Sequence, residues 1–224
     1  MTNQVFVAID TADLRRARKL VEAVAPHVGG VKLGLQFFAS NGPDGVRRIA
    51  EFGLPLFLDL KFHDIPNTVS RAVQSVGTLT PAVITVHAAG GRAMLTRAKK
   101  VAPRSTKVVA VTVLTSLSDA DLGRIGIRET AAAHALRLAR LARACGLDGI
   151  VCSPLEVLEI KREWPDGFFV VPGIRPAGSA ADDQKRSATP LAAIVAGASI
   201  IVIGRPITAA PDPAAAAAAI AASL

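Results

Sequence analysis

The segment Asp59-Leu-Lys61-Phe-His-Asp64 puts two carboxylates and an ammonium within six residues. Asp59 and Lys61 are two apart, so they share one face of an extended strand. Asp64 lies just beyond, on the loop before Pro66, where it can close the far side of Lys61. An ammonium held between carboxylates is favoured in its charged form. Such a lysine is a poor general base and a well-placed proton donor. Asp10 and Lys32, at the ends of two other apolar runs, extend the set into an alternating lysine–aspartate array. The same charges also read as a structural ion-pair network, which perturbs pKa values too. Charge beside an apolar core needs partners or a task, and finding all of these residues at strand ends favours a task.

A second group is cationic and glycine-rich: Pro172-Gly-Ile-Arg175 and Gly204-Arg205-Pro206. Glycine allows close backbone approach, and the arginine fork matches phosphate oxygens. Alone, a Gly-Arg pair is a turn with a solvated charge; its place after the last strand makes it a phosphate site. His87 follows the fourth apolar run, and the fifth gives Thr112, Thr115 and Ser116. His63 and His87 lie near the charged array as supporting residues, without a proton-transfer role. His27 and His134 read as structural residues on helices. Cys145 and Cys152 read as small buried side chains, since a metal site needs more ligands at tighter spacing.

These residues need a scaffold that brings strand ends together. Apolar β-branched runs at Val5–Ile9, Gly30–Leu33, Leu56–Leu60, Ala82–Val86, Lys107–Val113, Gly149–Cys152, Phe168–Val171 and Ser199–Ile203 read as strands. Helical segments alternate with them: Asp13–Ala25, Asp44–Phe52, the stretch after Pro66, Arg92–Val101, Glu129–Cys145, Pro154–Arg162, Pro190–Ala196 and Pro213–Leu224. Continuous apolar strands are those of a parallel sheet covered on both faces. Eight strand–helix units predict a single (β/α)8 TIM barrel over residues 1–224, with a doubly wound open sheet as the structural alternative. In a barrel, active sites gather at the C-terminal strand ends, where the charged residues fall.

Composition sets outer limits. Half of the 224 residues are hydrophobic and one fifth are charged, enough for a packed core and against a disordered chain. Two cysteines exclude a disulfide framework and fit a reducing compartment. The start, Met1-Thr-Asn-Gln-Val-Phe, lacks the basic region and long apolar core of a signal peptide. The charge-free stretch between Arg186 and Arg205 is broken by Pro190 and Gly197, so it reads as helix, turn and strand rather than a membrane span. A soluble, cytoplasmic protein is expected. The net charge of +8 raises nucleic acid as a partner. However, there is no Tyr, one Trp and eight Phe, and the cations are spread along helices, which argues for solvated faces.

The string Asp59-Leu-Lys-Phe-His-Asp-Ile-Pro-Asn-Thr68 resembles the signature of the orotidine 5′-phosphate decarboxylase family. So do Val5-Phe-Val-Ala-Ile-Asp10, Val31-Lys-Leu-Gly34, Val111-Thr-Val-Leu-Thr-Ser116, Pro172-Gly-Ile-Arg-Pro176 and Val202-Ile-Gly-Arg-Pro206, in family order along essentially the whole chain. Gln36, where many relatives are expected to carry methionine or glutamate, and the alanine-rich tail depart from the pattern outside the catalytic set.

The resemblance implies decarboxylation of orotidine 5′-phosphate to uridine 5′-phosphate without metal or organic cofactor. It makes Lys61, Asp59, Asp64 and Lys32 the catalytic set, with Lys61 stabilising and protonating the C6 carbanion. Lys32 and Asp10 would hold the ribose hydroxyls, and Thr115 and Ser116 the pyrimidine amide edge. Ile65, Thr68 and Pro172 join the substrate contacts, while Arg175, Gln184, Gly204 and Arg205 take the phosphate. Arg175–Pro190 is expected to be a mobile lid over it. Asp64 and Thr68 would reach into a neighbouring subunit's site, making a homodimer with shared active sites; no nucleic-acid or membrane partner is implied. The nearest rivals are other phosphosugar barrels, a pentulose-phosphate epimerase or a ketogulonate-phosphate decarboxylase. Those generally use a metal and lack the Phe-His-Asp-Ile-Pro-Asn-Thr continuation.

Overall fold

In the computed structural model, which describes residues 3–176 and 186–224, the apolar runs become eight parallel strands. They are β1 (Val5–Ala8), β2 (Gly30–Gly34), β3 (Leu56–Phe62), β4 (Val83–His87), β5 (Lys107–Val111), β6 (Gly149–Val151), β7 (Phe168–Val171) and β8 (Ile200–Ile203). Each pairs with the next, and β1 closes on β8 through Val5↔Ile201, Phe6↔Val202 and Val7↔Ile203. That closure excludes the open sheet.

The helices are α1 (Leu14–Val24), α2 (Leu35–Ala50), α3 (Pro66–Gly77), α4 (Gly91–Val101) and α5 (Asp119–Arg124). Then come α6 (Ala131–Ala144), α7 (Val157–Glu163), α8 (Pro190–Val195), α9 (Arg205–Thr208) and α10 (Pro213–Ala222). Local chemistry sets their starts. The Asp13 carboxylate accepts from the Arg15 and Arg16 N–H groups, and Thr130 caps α6 through the Ala133 N–H. Pro66 opens α3 in a position where no N–H is needed. The alanine tail is helical as expected, capped by Asp212 and burying Ala217 and Ile220.

One helix differs from the expected boundaries. The segment expected at Asp44–Phe52 begins nine residues earlier, at Leu35, and runs through Gly42-Pro43. Gly42 itself is non-helical, with φ 57 and ψ −162, so Gly42-Pro43 is a kink between helical halves. The short α5, with its Ser118–Asp121 capping box, is absent from the sequence reading altogether. No helix among the described residues is long and apolar enough to cross a membrane.

The period of two along each strand sorts side chains into two cores. Leu56, Leu58 and Leu60 of β3 point outward and pack under the helices. Phe57 points inward with Phe6, Val83, Val109, Val111, Val170 and Val202. At Gly30 a Cβ would stand 2.3 Å from the Phe6 ring, so β2 leaves its inward place to its neighbour's aromatic. This apolar plug fills the barrel's middle and bottom. Above it, at the C-terminal rim, the same inward rows end in Asp10, Lys32, Asp59, Lys61 and Thr85.

Candidate active site

A cavity of about 460 Å³ opens over the plug at the C-terminal ends of the strands. Its floor is apolar, made by Phe57, Val111, Val151, Val170 and Val202. Asp10, Lys32, Asp59 and Lys61 line it from β1 to β3. Pro172, Gly173, Arg175, Gly204 and Arg205 line it from β7 and β8. In a closed ring of eight, the third and seventh strands stand opposite each other, so Asp59 and Lys61 face the Pro172–Arg175 turn across the pocket, while Gly204 and Arg205 follow β8, which pairs with β1.

The charged cluster is an alternating chain. Lys32 Nζ lies 3.5 Å from Asp10 Oδ1 and 3.4 Å from Asp59 Oδ2. Lys61 Nζ donates to the same Asp59 Oδ2 at 2.8 Å. Gly34 makes room for this: a Cβ there would come within 3.1 Å of both the Asp10 carboxylate and the Lys32 ammonium. The Asp59 side chain is 11 % exposed, the Lys61 side chain 31 %. Burial would push the Asp59 carboxyl up, but the Lys32 and Lys61 ammoniums, with hydrogen bonds from Lys61 and Thr85, hold it below the usual carboxylate value. Asp59 is therefore an ionised carboxylate inside a largely apolar barrel.

The lysine's backbone is unusual as well. Lys61 has φ 48, one of two non-glycine residues with positive φ among the described residues, and the β3–β4 register shifts between Leu58 and Phe62. Left-handed backbone at a non-glycine residue persists only where its surroundings hold it. Thr85, missed by the sequence reading, touches this turn. It sits in a run of strand-forming residues, yet period-two counting back from His87 puts it inward.

Asp64 corrects an expectation. Its carboxylate accepts from the Ile65 N–H at 2.6 Å, it is exposed, and it does not close the far side of Lys61. Ile65 and Thr68 are exposed too, and none of the three lines the cavity of its own chain. The physical reason is Pro66, which starts α3 at once and carries the chain away from the rim. Thr115 lines the cavity, while Ser116 is exposed beside it. Thr112 is spent structurally, its hydroxyl donating to the Val151 carbonyl at 3.0 Å. Gln184 and the central part of the expected lid lie outside the described residues. Beside that stretch, the Arg175 N–H donates to the Ala188 carbonyl at 2.9 Å.

Two further polar residues flank the cavity without an advance signal. Glu156, after β6, is buried and ion-paired to Arg186, whose guanidinium also donates to the Val113 and Leu114 carbonyls at 3.3 and 3.0 Å. Burial pushes the Glu156 carboxyl up to about 7 against the opposing pull of Arg186. The two residues are thirty apart in sequence, so nothing local marks them as partners. Cys152 lines the cavity but is 1 % exposed, and burial raises its thiol well above the ordinary value. Cys145 is buried also. His63 and His87 stack with ring centroids 5.2 Å apart. Burial first, then His63, Lys61 and His134, lower the His87 imidazole. His134 is buried against Glu129, in keeping with a structural role.

The comparisons with known proteins agree with one another. The family described as Orotidine 5'-phosphate decarboxylase / HUMPS matches residues 3–220. An orotidine 5'-phosphate decarboxylase of Novosphingobium aromaticivorans is 57 % identical over 224 residues, covering all of both chains. One from Sphingopyxis alaskensis is 57 % identical over 213 residues, 95 % of each chain. The crystal structure of orotidine 5'-phosphate decarboxylase from Lactobacillus acidophilus superposes with a TM-score of 0.85 at 39 % identity, covering 97 % of each chain.

Proposed function

This chain belongs to the orotidine 5′-phosphate decarboxylase / HUMPS family, and we propose that it decarboxylates orotidine 5′-phosphate through the Lys61 ammonium, without metal or organic cofactor. The product is uridine 5′-phosphate, so the reaction is the last step in making that pyrimidine nucleotide. The observation that carries the reading is the Asp10–Lys32–Asp59–Lys61 chain in a cavity that Arg175, Gly204 and Arg205 also line.

Decarboxylation breaks the C6–carboxylate bond and leaves its electron pair on C6, in an orbital the pyrimidine ring delocalises poorly. The protein must place positive charge where that pair develops and then deliver a proton. Lys61 can do both. Its ammonium, held by Asp59, is aligned before the bond breaks, so little reorganisation remains at the moment of reaction. A proton passes from Nζ to C6 as CO2 departs, and the amine regains its proton from solvent. Asp59, ionised and buried, adds negative charge beside the substrate carboxylate and relaxes as that group leaves. Lys32 and Asp10, on the next strands, suit the ribose hydroxyls.

The arginine side takes the phosphate. Its distance from C6 does not make it idle: remote binding energy holds the ring in register with Lys61. Arg205→Ala should raise KM for orotidine 5′-phosphate roughly 100-fold, about the value of a lost charge-assisted contact, with a smaller effect on kcat. An unchanged KM in steady-state assays would remove Arg205 from the phosphate site. Gln184 is proposed as a further phosphate ligand, and Thr115 with Ser116 as donors to the pyrimidine edge.

The chain is read as one domain over residues 1–224, supported by the pairing of its first strand with its last. We place it in the cytoplasm as a homodimer, with Asp64 and Thr68 of each subunit serving the other's cavity. Their exposure and that of Ile65, an apolar side chain 66 % exposed, support this. Nucleic acid is not proposed as a partner. The deciding experiment follows the loss of orotidine 5′-phosphate absorbance with purified protein in excess EDTA. Sustained turnover is expected; no turnover overturns the decarboxylase reading, and turnover that stops only with the chelator overturns its metal independence.

A further inference from the structure

The strand β4, Val83-Ile-Thr-Val-His87, carries one hydroxyl in a stretch that is otherwise apolar and buried up to His87. Thr85 is 0 % exposed. A hydroxyl in that setting costs stability unless it is hydrogen-bonded, and a valine would fill the same shape without the cost. The two bonds it makes are both to the charged cluster. Thr85 Oγ1 accepts from the Lys61 backbone N–H at 2.8 Å and donates to Asp59 Oδ1 at 3.1 Å. Their direction is fixed by chemistry: a backbone N–H can only donate, and an ionised carboxylate can only accept.

Each bond does something that nothing else nearby does. At Lys61 the β3–β4 ladder is interrupted and the backbone turns to φ 48. The Thr85 side chain takes the place of the missing ladder acceptor and holds that left-handed turn, from which the Lys61 side chain rises into the cavity. At Asp59, the bond to Oδ1 fixes the carboxylate plane, a torsion that is otherwise broad. With Oδ1 held, Oδ2 faces the two ammoniums at 3.4 and 2.8 Å. We infer that Thr85 is a positioning residue of the decarboxylation, its hydroxyl orienting the Asp59 carboxylate and the Lys61 backbone so that the ammonium meets C6. This rests on the decarboxylase reading above.

The same bond favours the ionised form of Asp59. The charged and titratable groups around that carboxylate are Lys32 from β2, Lys61 on its own strand, Asp10 from β1 beyond Lys32, and the His87–His63 pair beyond Lys61. All of them remain when the hydroxyl is removed. A change on the acid side of the pH profile in Thr85 variants therefore reports the hydroxyl's hold on Asp59.

The test measures kcat and KM for orotidine 5′-phosphate against pH in the parent, Thr85→Val and Thr85→Ser. Thr85→Val should lose on the order of 100-fold in kcat, the scale of a misplaced reacting group, with KM within a few-fold because the phosphate contacts remain. Its acid limb should move to higher pH, since a carboxylate with one donor fewer protonates more readily. Thr85→Ser keeps the hydroxyl and should recover most of both. The pair Thr85→Ser and Thr85→Ala makes the same comparison without a β-branched side chain, should the valine variant fail to fold. An active parent matched by Thr85→Val, or a loss shared equally by the serine variant, overturns the inference alone. An inactive parent overturns the decarboxylase reading and this inference with it.

Discussion

Lys61→Ala should lower kcat for orotidine 5′-phosphate by on the order of 10⁵-fold, combining a lost proton donor with lost stabilisation of the developing carbanion. Its effect on the fold should be small, and the reason lies in the geometry of Asp59. Removing one partner of a buried ion pair is costly when it strands a charge. Here Asp59 keeps Lys32 at 3.4 Å and the Thr85 hydroxyl at 3.1 Å, so the carboxylate is not stranded. Lys61 itself is the partly exposed member at the rim, and the apolar plug beneath does not include it. The measurements are single-turnover decay of the substrate, a thermal melt, and calorimetric binding of uridine 5′-phosphate. Vanishing chemistry with a near-parental melt and retained phosphate-dependent binding is the expected set. Turnover near the parent's would reject Lys61 as the group beside C6.

The pairing of Asp59 with Lys61 follows from their spacing on one strand. Asp59 and Lys61 share a face because a strand alternates, and β3 keeps that alternation from Leu56 to Phe62 even though Lys61 itself turns left-handed. The strands were legible because each is a buried, β-branched run. Closure was not, since it depends on β1 meeting β8 across nearly the whole chain. Helix α2 was half legible: Gly42-Pro43 is a local break signal, and the local conformation obeys it, but packing of Phe37 on one side and Val46 and Ile49 on the other keeps both halves helical.

The site divides in the same way. Residues whose chemistry is visible in their type, such as Lys32, Asp59, Lys61 and Arg205, line the cavity as expected. Thr85 was invisible because threonine is an ordinary strand former, and its importance appears only where β3 breaks its register against β4. Glu156 and Arg186 were invisible because neither has a local partner. Asp64 was visible and misplaced: proximity in sequence to Lys61 suggested proximity in space, while the turn into α3 carries it outward.

That outward position bears on the last and most discriminating expectation. Asp64→Ala should be nearly inactive although Asp64 does not line its own chain's cavity. If its carboxylate completes the partner's site, one subunit's loss is the other's, and two different dead variants can repair each other. Mixed equally and allowed to exchange subunits, Lys61→Ala and Asp64→Ala would form half of all dimers as hybrids. In each hybrid, one cavity carries both substitutions and the other carries neither. With two equivalent sites per two-fold dimer, about one quarter of all sites would be intact, so the mixture should recover about a quarter of parental activity. A carboxylate acting within its own subunit gives no such recovery, because every cavity then keeps one substitution. Exchange must be demonstrated independently, by mass spectrometry of differently tagged subunits. Recovery near a quarter then fixes Asp64 as a donor across the interface. Silence in a mixture with proven hybrids assigns it to its own subunit, where only a movement of the loop before Pro66 could bring it to Lys61.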